Sequence, residues 1–140
     1  MEYVSSFEKQ KIDAEFVHRF LTNSYWAKGI SLETVKQSID NSLVIGMYKN
    51  DKQVGFARVI TDSTTMAYLA DVFVDPSHQG RGLAQKMLTD LFEHDNLQGL
   101  RRVLLATSDA HDLYKKFGFT SLAQPEIMME INKPNIYQNG

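Results

Sequence analysis

The stretch Leu69-Ala70-Asp71-Val72-Phe73-Val74-Asp75-Pro76-Ser77-His78-Gln79-Gly80-Arg81-Gly82-Leu83-Ala84 decides how the whole chain is read. Its apolar run predicts a buried strand, Asp75-Pro76 a turn, and the two glycines a loop that opens a helix. Beyond the loop, Leu83, Met87, Leu88, Leu91 and Phe92 recur at the spacing of an amphipathic helix. A helix that starts after such a loop turns its unpaired backbone N–H groups, and the positive end of its dipole, towards one point. That point is an anion site. Gly80 and Gly82 carry no Cβ, so a phosphate can approach the backbone closely, and Arg81 adds a permanent positive charge. The stretch therefore reads as a cradle for a diphosphate.

Two nucleotide motifs compete for that cradle, and neither fits. A P-loop needs Lys-Ser/Thr after its last glycine, where this chain has Leu83 and Ala84. The dinucleotide fingerprint needs a third small residue where Gln85 stands. It also expects an acidic ribose partner about 20 residues on, where Gly99 and Leu100 stand. The stretch resembles instead the acetyl-CoA signature of the GNAT N-acyltransferase superfamily: a hydrophobic strand, here Val72-Phe73-Val74, a turn, then Gln79-Gly80-Arg81-Gly82-Leu83-Ala84. A second element of that family, Ala110-x-x-x-Tyr114-x-Lys116-x-Gly118-Phe119, follows at the expected distance. The resemblance rests on these motifs in the C-terminal half and on element order elsewhere.

The composition is that of a soluble globular domain, with 43% hydrophobic and 23% charged residues. Its 140 residues suit one domain, 1–140, with a core of its own. A net charge of −2 gives no electrostatic case for nucleic acid. Without cysteine there is no disulfide framework, thiol nucleophile or Cys-based zinc site. His18, His78, His94 and His111 lack a paired ligand spacing, so no metal centre is expected. The opening residues do not read as a signal peptide and no apolar run is long enough for a membrane span, so a cytoplasmic protein is expected.

In chain order, Tyr3 to Phe7 reads as a strand. Asp13 caps a helix carrying Phe16, Val17, Phe20 and Leu21, and Ser31 caps one carrying Leu32, Val35 and Ile39. Leu43–Tyr48, Gln53–Ile60 and Thr65–Val74 read as strands joined by short turns, hence antiparallel neighbours, with Gly55 weakening the second or marking a bulge. The helix after the glycine loop permits a crossover to a parallel strand at Arg102–Ala106. Ser108 or Asp109 caps a fourth helix that Gly118 ends, and Phe119–Leu122 and Ile127–Ile131 are expected as closing strands before a polar, frayed end. The fold class expected is α/β (α+β, a mixed sheet) with four flanking helices. The GNAT resemblance implies that the mostly antiparallel sheet splays at a bulge between its fourth and fifth strands, which frees backbone groups there.

The resemblance also implies the chemistry. Acetyl-CoA would be the cosubstrate, its pantetheine arm pairing with Val72, Phe73 and Val74 and its diphosphate lying on the amides of Gln79, Gly80, Arg81, Gly82, Leu83 and Ala84. An acetyl group would pass directly from the thioester to a primary amine of a small molecule or peptide. Tyr114 stands at the family's tyrosine, a general acid for the departing thiolate; by itself it also reads as a half-buried helix residue beside Leu113 and Phe117. Asp71 is a carboxylate inside an apolar strand, either base, substrate anchor or a structural acceptor of loop bonds. Thr107 stands where the family commonly places an Asn on the coenzyme. Tyr25 and Trp26 are candidates for the acceptor side, by stacking or cation–π contact, or form an apolar plug at a helix end. Arg58, mid-strand among apolar residues, needs Asp62, Asp71 or an acidic substrate as partner. Family members often dimerise. The competing function is a non-catalytic acyl-CoA sensor on the same fold.

Overall fold

The turns between strands set the order of the sheet. The computed structural model describes residues 2–138. Asn50 and Asp51, with φ of 53° and 67°, make the tight hairpin between β2 (Leu43–Lys49) and β3 (Lys52–Thr61). Side chains that tolerate left-handed backbone suit such a turn. Asp62 organises the next one. Its carboxylate accepts from the amides of Thr64 and Thr65 at 2.9 and 2.7 Å, bonds that hold its carboxyl well below the usual range. The chain then enters β4 (Met66–Val74). With β1 (Tyr3–Ser6) and β5 (Arg102–Leu105) the sheet runs β1-β2-β3-β4-β5, antiparallel except for the parallel pair β4–β5.

Helices cover both faces. On one lie α1 (Ala14–Leu21) and α2 (Leu32–Asp40), whose Val17, Leu21, Val35 and Ile39 pack on Val44, Phe56 and Phe73. Asp13 and Ser31 cap them as expected, each accepting an amide at 3.1 Å. On the other face α3 (Leu83–Phe92) buries Leu83, Met87, Leu88 and Leu91 against Met47, Ala57, Leu69 and Val74. Tyr114 of α4 (His111–Lys115) joins that second core.

Two bulges interrupt the ladders. Met47 faces Gly55 while Tyr48 faces Gln53, so Val54, beside Gly55, is the extra residue. Arg58 faces Asp71 while Val59 faces Leu69, so Ala70 is extra in β4. One additional residue reverses the side to which every later side chain points. Ala67 and Leu69 therefore face α3, whereas Phe73 packs under α1. Pairing of β4 with β5 covers Met66 to Leu69 and stops there, so beyond the bulge β4 has no neighbour on that side.

Two expectations are corrected. The closing strands at Phe119–Leu122 and Ile127–Ile131 do not form. No backbone bond ties them to β5, every residue from Thr120 to Gln138 is exposed, and short 3₁₀ turns at Pro125–Ile127 and Ile136–Gln138 are the regular structure there. A strand needs a partner edge, and within this chain the segment does not reach one. The fourth helix is capped neither by Ser108 nor by Asp109: the Thr107 hydroxyl accepts the amide of Ala110 at 3.0 Å. The expected frayed end falls partly on Asn139 and Gly140, outside the described residues.

Candidate active site

The glycine loop has the geometry of an anion cradle. Gly80 and Gly82 adopt φ of 81° and 72°, conformations that strain any residue with a Cβ. A Cβ built on either would meet nothing within 4 Å, so the space above the loop is open. Among the described residues the amides of Gly80, Arg81, Gly82, Leu83 and Ala84 find no acceptor. Gln79 differs: its amide reaches Pro76 O at 3.4 Å and its side chain donates to the Val74 carbonyl at 3.1 Å, bracing the end of β4. Arg81 Nη1 donates to the Tyr3 hydroxyl at 3.2 Å, and that hydroxyl also meets His78 Nδ1 at 3.0 Å. The first strand thus holds the loop's guanidinium in place. Tyr3 carries no motif, and only its spatial neighbours give it this role.

From the loop, the unpaired part of β4 leads to a cleft of about 410 Å³ between β4 and β5, lined by Tyr25, Trp26, Asp71, Thr107, Asp109 and Tyr114 among others. Within β4, Phe73 and Val74 are buried and Val72 is half-buried. Tyr114, 9% exposed, borders the cleft, and among the described residues its hydroxyl has no hydrogen-bond partner. Burial, with smaller contributions from Asp109 and Tyr25, raises its pKa above that of an ordinary phenol. Asp109 escaped notice in the sequence because it reads as a helix cap. Thr107 is half-buried at the cleft wall, its oxygen already accepting from the start of α4.

The bulge brings Asp71, Arg58 and Trp26 together. Asp71 is 5% exposed; its Oδ2 accepts from Arg58 Nε at 2.7 Å and its Oδ1 from Trp26 Nε1 at 2.8 Å. Arg58 Nη1 continues to Ser42 Oγ at 3.1 Å. Of the partners open to Arg58 in the sequence, Asp71 is the one it meets, whereas Asp62 serves its own turn. Trp26 is fixed further by Phe20, whose ring stacks on Phe73 at 3.9 Å. Tyr25, 68% exposed, bridges the mouth of the cleft, its hydroxyl 2.9 Å from Ser108 Oγ. Of the residues singled out for the acceptor side, Tyr25, Trp26 and Asp71 line one cleft, and Arg58 stands behind Asp71 without lining it. Among the described residues no cluster of three His, Asp or Glu side chains is placed to hold a metal ion, and no helix is long and apolar enough to cross a membrane.

Comparison with known proteins bears on this geometry. Residues 40–121 match the family described as acetyltransferase (GNAT) domain. A solved structure from Xanthomonas campestris pv. campestris, named as an acetyltransferase of the gnat family, is 44% identical with a TM-score of 0.95, over 98% of this chain and 97% of that one. A Gibberella zeae protein named as an acetyltransferase is 29% identical over 138 residues, covering 82% of this chain and 77% of its own. The chain spans a smaller share, 63%, of an N-acetyltransferase from Prochlorococcus marinus that is 28% identical. A Clostridium acetobutylicum acetyltransferase solved with acetyl-CoA has the same fold, at 19% identity and a TM-score of 0.66 over 94% of this chain and 95% of that one.

Proposed function

Because the chain belongs to the GNAT acetyltransferase family, we propose that it transfers an acetyl group from acetyl-CoA to a primary amine of a small molecule or peptide, by direct attack in a ternary complex. The observation that carries this is a single path. Five amides from Gly80 to Ala84, partnerless among the described residues, follow β4; the half of β4 beyond the bulge has no strand on its β5 side; and Tyr114 lines the cleft beside Asp71 and Val72. The amides would take the diphosphate and the unpaired strand the pantetheine amides. Acetyl-CoA, when bound, supplies the thioester carbonyl that the amine attacks.

The chain's own groups then have distinct tasks. The C–N bond forms as the C–S bond breaks. Tyr114 gives its proton to the departing sulfur, a role that suits a phenol held protonated by burial. Tyr25 and Trp26 form the wall along which the acceptor enters. The Asp71 carboxylate is a positioning group, because both its oxygens already bind Arg58 and Trp26; the proton released by the amine would leave through water in the cleft. Arg58 completes that support.

The same engaged carboxylate is the observation that favours the second reading, a binding module that holds acyl-CoA without turnover. The two are separated by titrating the chain with acetyl-CoA and then following thiol release over a panel of primary amines. Amine-dependent release that drops on the order of 10²–10⁴-fold in Tyr114→Phe, with coenzyme affinity unchanged, is expected. Binding with no release from any amine would establish the module instead.

A further inference from the structure

Among the described residues no Lys, Arg or His side chain lines the cleft beside β4. Arg58 stands behind Asp71, with Nε on the carboxylate at 2.7 Å and Nη1 on Ser42 at 3.1 Å. Its charge is spent on Asp71 and is not offered to an acidic acceptor. The pair Arg58–Asp71 is therefore neutral as a unit, and the charge that the cleft presents is set by its remaining ionisable wall.

That wall is Asp109, exposed on the loop before α4. Its amide donates to the Thr107 hydroxyl at 3.4 Å, but among the described residues its carboxylate has neither a hydrogen bond nor an ion pair. It lies near enough to Tyr114 to help keep that phenol protonated. Three partly exposed rings, Tyr25, Trp26 and Tyr68, line the same space, and aromatic faces attract cations. Tyr114 is an independent mark that a ligand belongs here, because it is only 9% exposed and its hydroxyl has no partner among the described residues.

We propose that the acceptor is a small amine bearing a second positive charge, which Asp109 and the aromatic rings hold while the reacting nitrogen lies beside Tyr114. The inference rests on the transfer reading above and narrows its acceptor. Two ammonium groups a few bonds apart each disfavour the other's charge, so the reacting nitrogen gives up its proton to cleft water more readily. The neutral nitrogen then attacks, its C–N bond forming as the C–S bond breaks, while Asp109 keeps the far ammonium charged. An amine with an acidic tail would bring that tail against Asp109 with no free cation to offset it.

Trp26 is the single tryptophan of the chain, so its fluorescence reports binding in the cleft without turnover. Three probes share one amine and one pentamethylene chain: diaminopentane ends in ammonium, hexylamine in methyl and aminohexanoate in carboxylate. Diaminopentane should bind about fivefold or more tighter than hexylamine at low salt, with aminohexanoate weakest. The gap should narrow as salt is raised. Asp109→Asn should bring diaminopentane down to the affinity of hexylamine, and Asp109→Lys should put aminohexanoate first. Equal affinities in the wild type, no saturable response to diaminopentane, or a preference that survives Asp109→Asn would each overturn the proposal. With acetyl-CoA added, thiol release should follow the same order. The expected binding order without thiol release from any probe would overturn the transfer reading and leave the cation site supported.

Discussion

At the scale of single residues, a buried phenol and a half-buried guanidinium behave in opposite ways. Tyr48 lies across Gly46, where a Cβ would stand 2.5 Å from its hydroxyl oxygen, and that hydroxyl is buried with no partner. Burial, aided by the charges of Asp13 and Glu8, pushes its pKa up to about 12 from 10.0. In the unfolded chain the phenol ionises first, so the folded state loses stability as pH rises from 10 towards 12. Tyr48→Phe should reduce that loss. At neutral pH it should also be neutral or stabilising by up to about 1 kcal/mol, since it deletes an unsatisfied donor. Chemical denaturation of both proteins at pH 7 and pH 11 measures both effects. Arg58, by contrast, is bonded through Nε to Asp71 and through Nη1 to Ser42. Arg58→Met strands the Asp71 carboxylate and should cost about 3 kcal/mol or more; adding Asp71→Asn should recover part of it. Equal stabilities for wild type and Arg58→Met in urea would show the pair to be dispensable.

At the scale of elements, the glycine loop and the Ala70 bulge matter most. Gly82 ends the loop in left-handed backbone with open space above it. Gly82→Val places a side chain there and adds backbone strain of about 1–2 kcal/mol. It should weaken acetyl-CoA binding by about tenfold or more in calorimetry. Arg81→Ala leaves the amides in place; its loss should shrink as salt is raised, because the guanidinium is exposed. The loop was legible in the sequence because glycine spacing and helix periodicity lie in one local stretch. The bulge was not. α3 covers one face of β4 and α1 covers the other beyond the bulge, so Ala67, Leu69, Asp71 and Phe73 are all buried and look like one alternating row. The reversal at Ala70 leaves that row unbroken; Asp71 was among the partners the sequence offered Arg58, but the bond from Trp26 to it was hidden. Tyr3 beside Arg81 was hidden for another reason, since 78 residues separate them.

At the scale of the whole molecule, the antiparallel run β2-β3-β4 followed from turn chemistry and apolar runs and the parallel β5 from the crossover, and the structure matches both; the place of β1 beside β2 did not follow. The closing strands did not follow. The alternation at Ile127, Met129 and Ile131 marks a strand-like segment, but pattern alone does not say whose edge receives it. The seam between β4 and β5 is four residue pairs long. β5, with α4 and Tyr114 behind it, is therefore a leaf hung on a short hinge, while β2, β3 and the lower part of β4 form the rigid board. Amides of β5 should exchange with deuterium well before those of β3, and acetyl-CoA lying along the gap should slow them. Ligand would then act as a latch, making the leaf stiff only while there is a group to transfer.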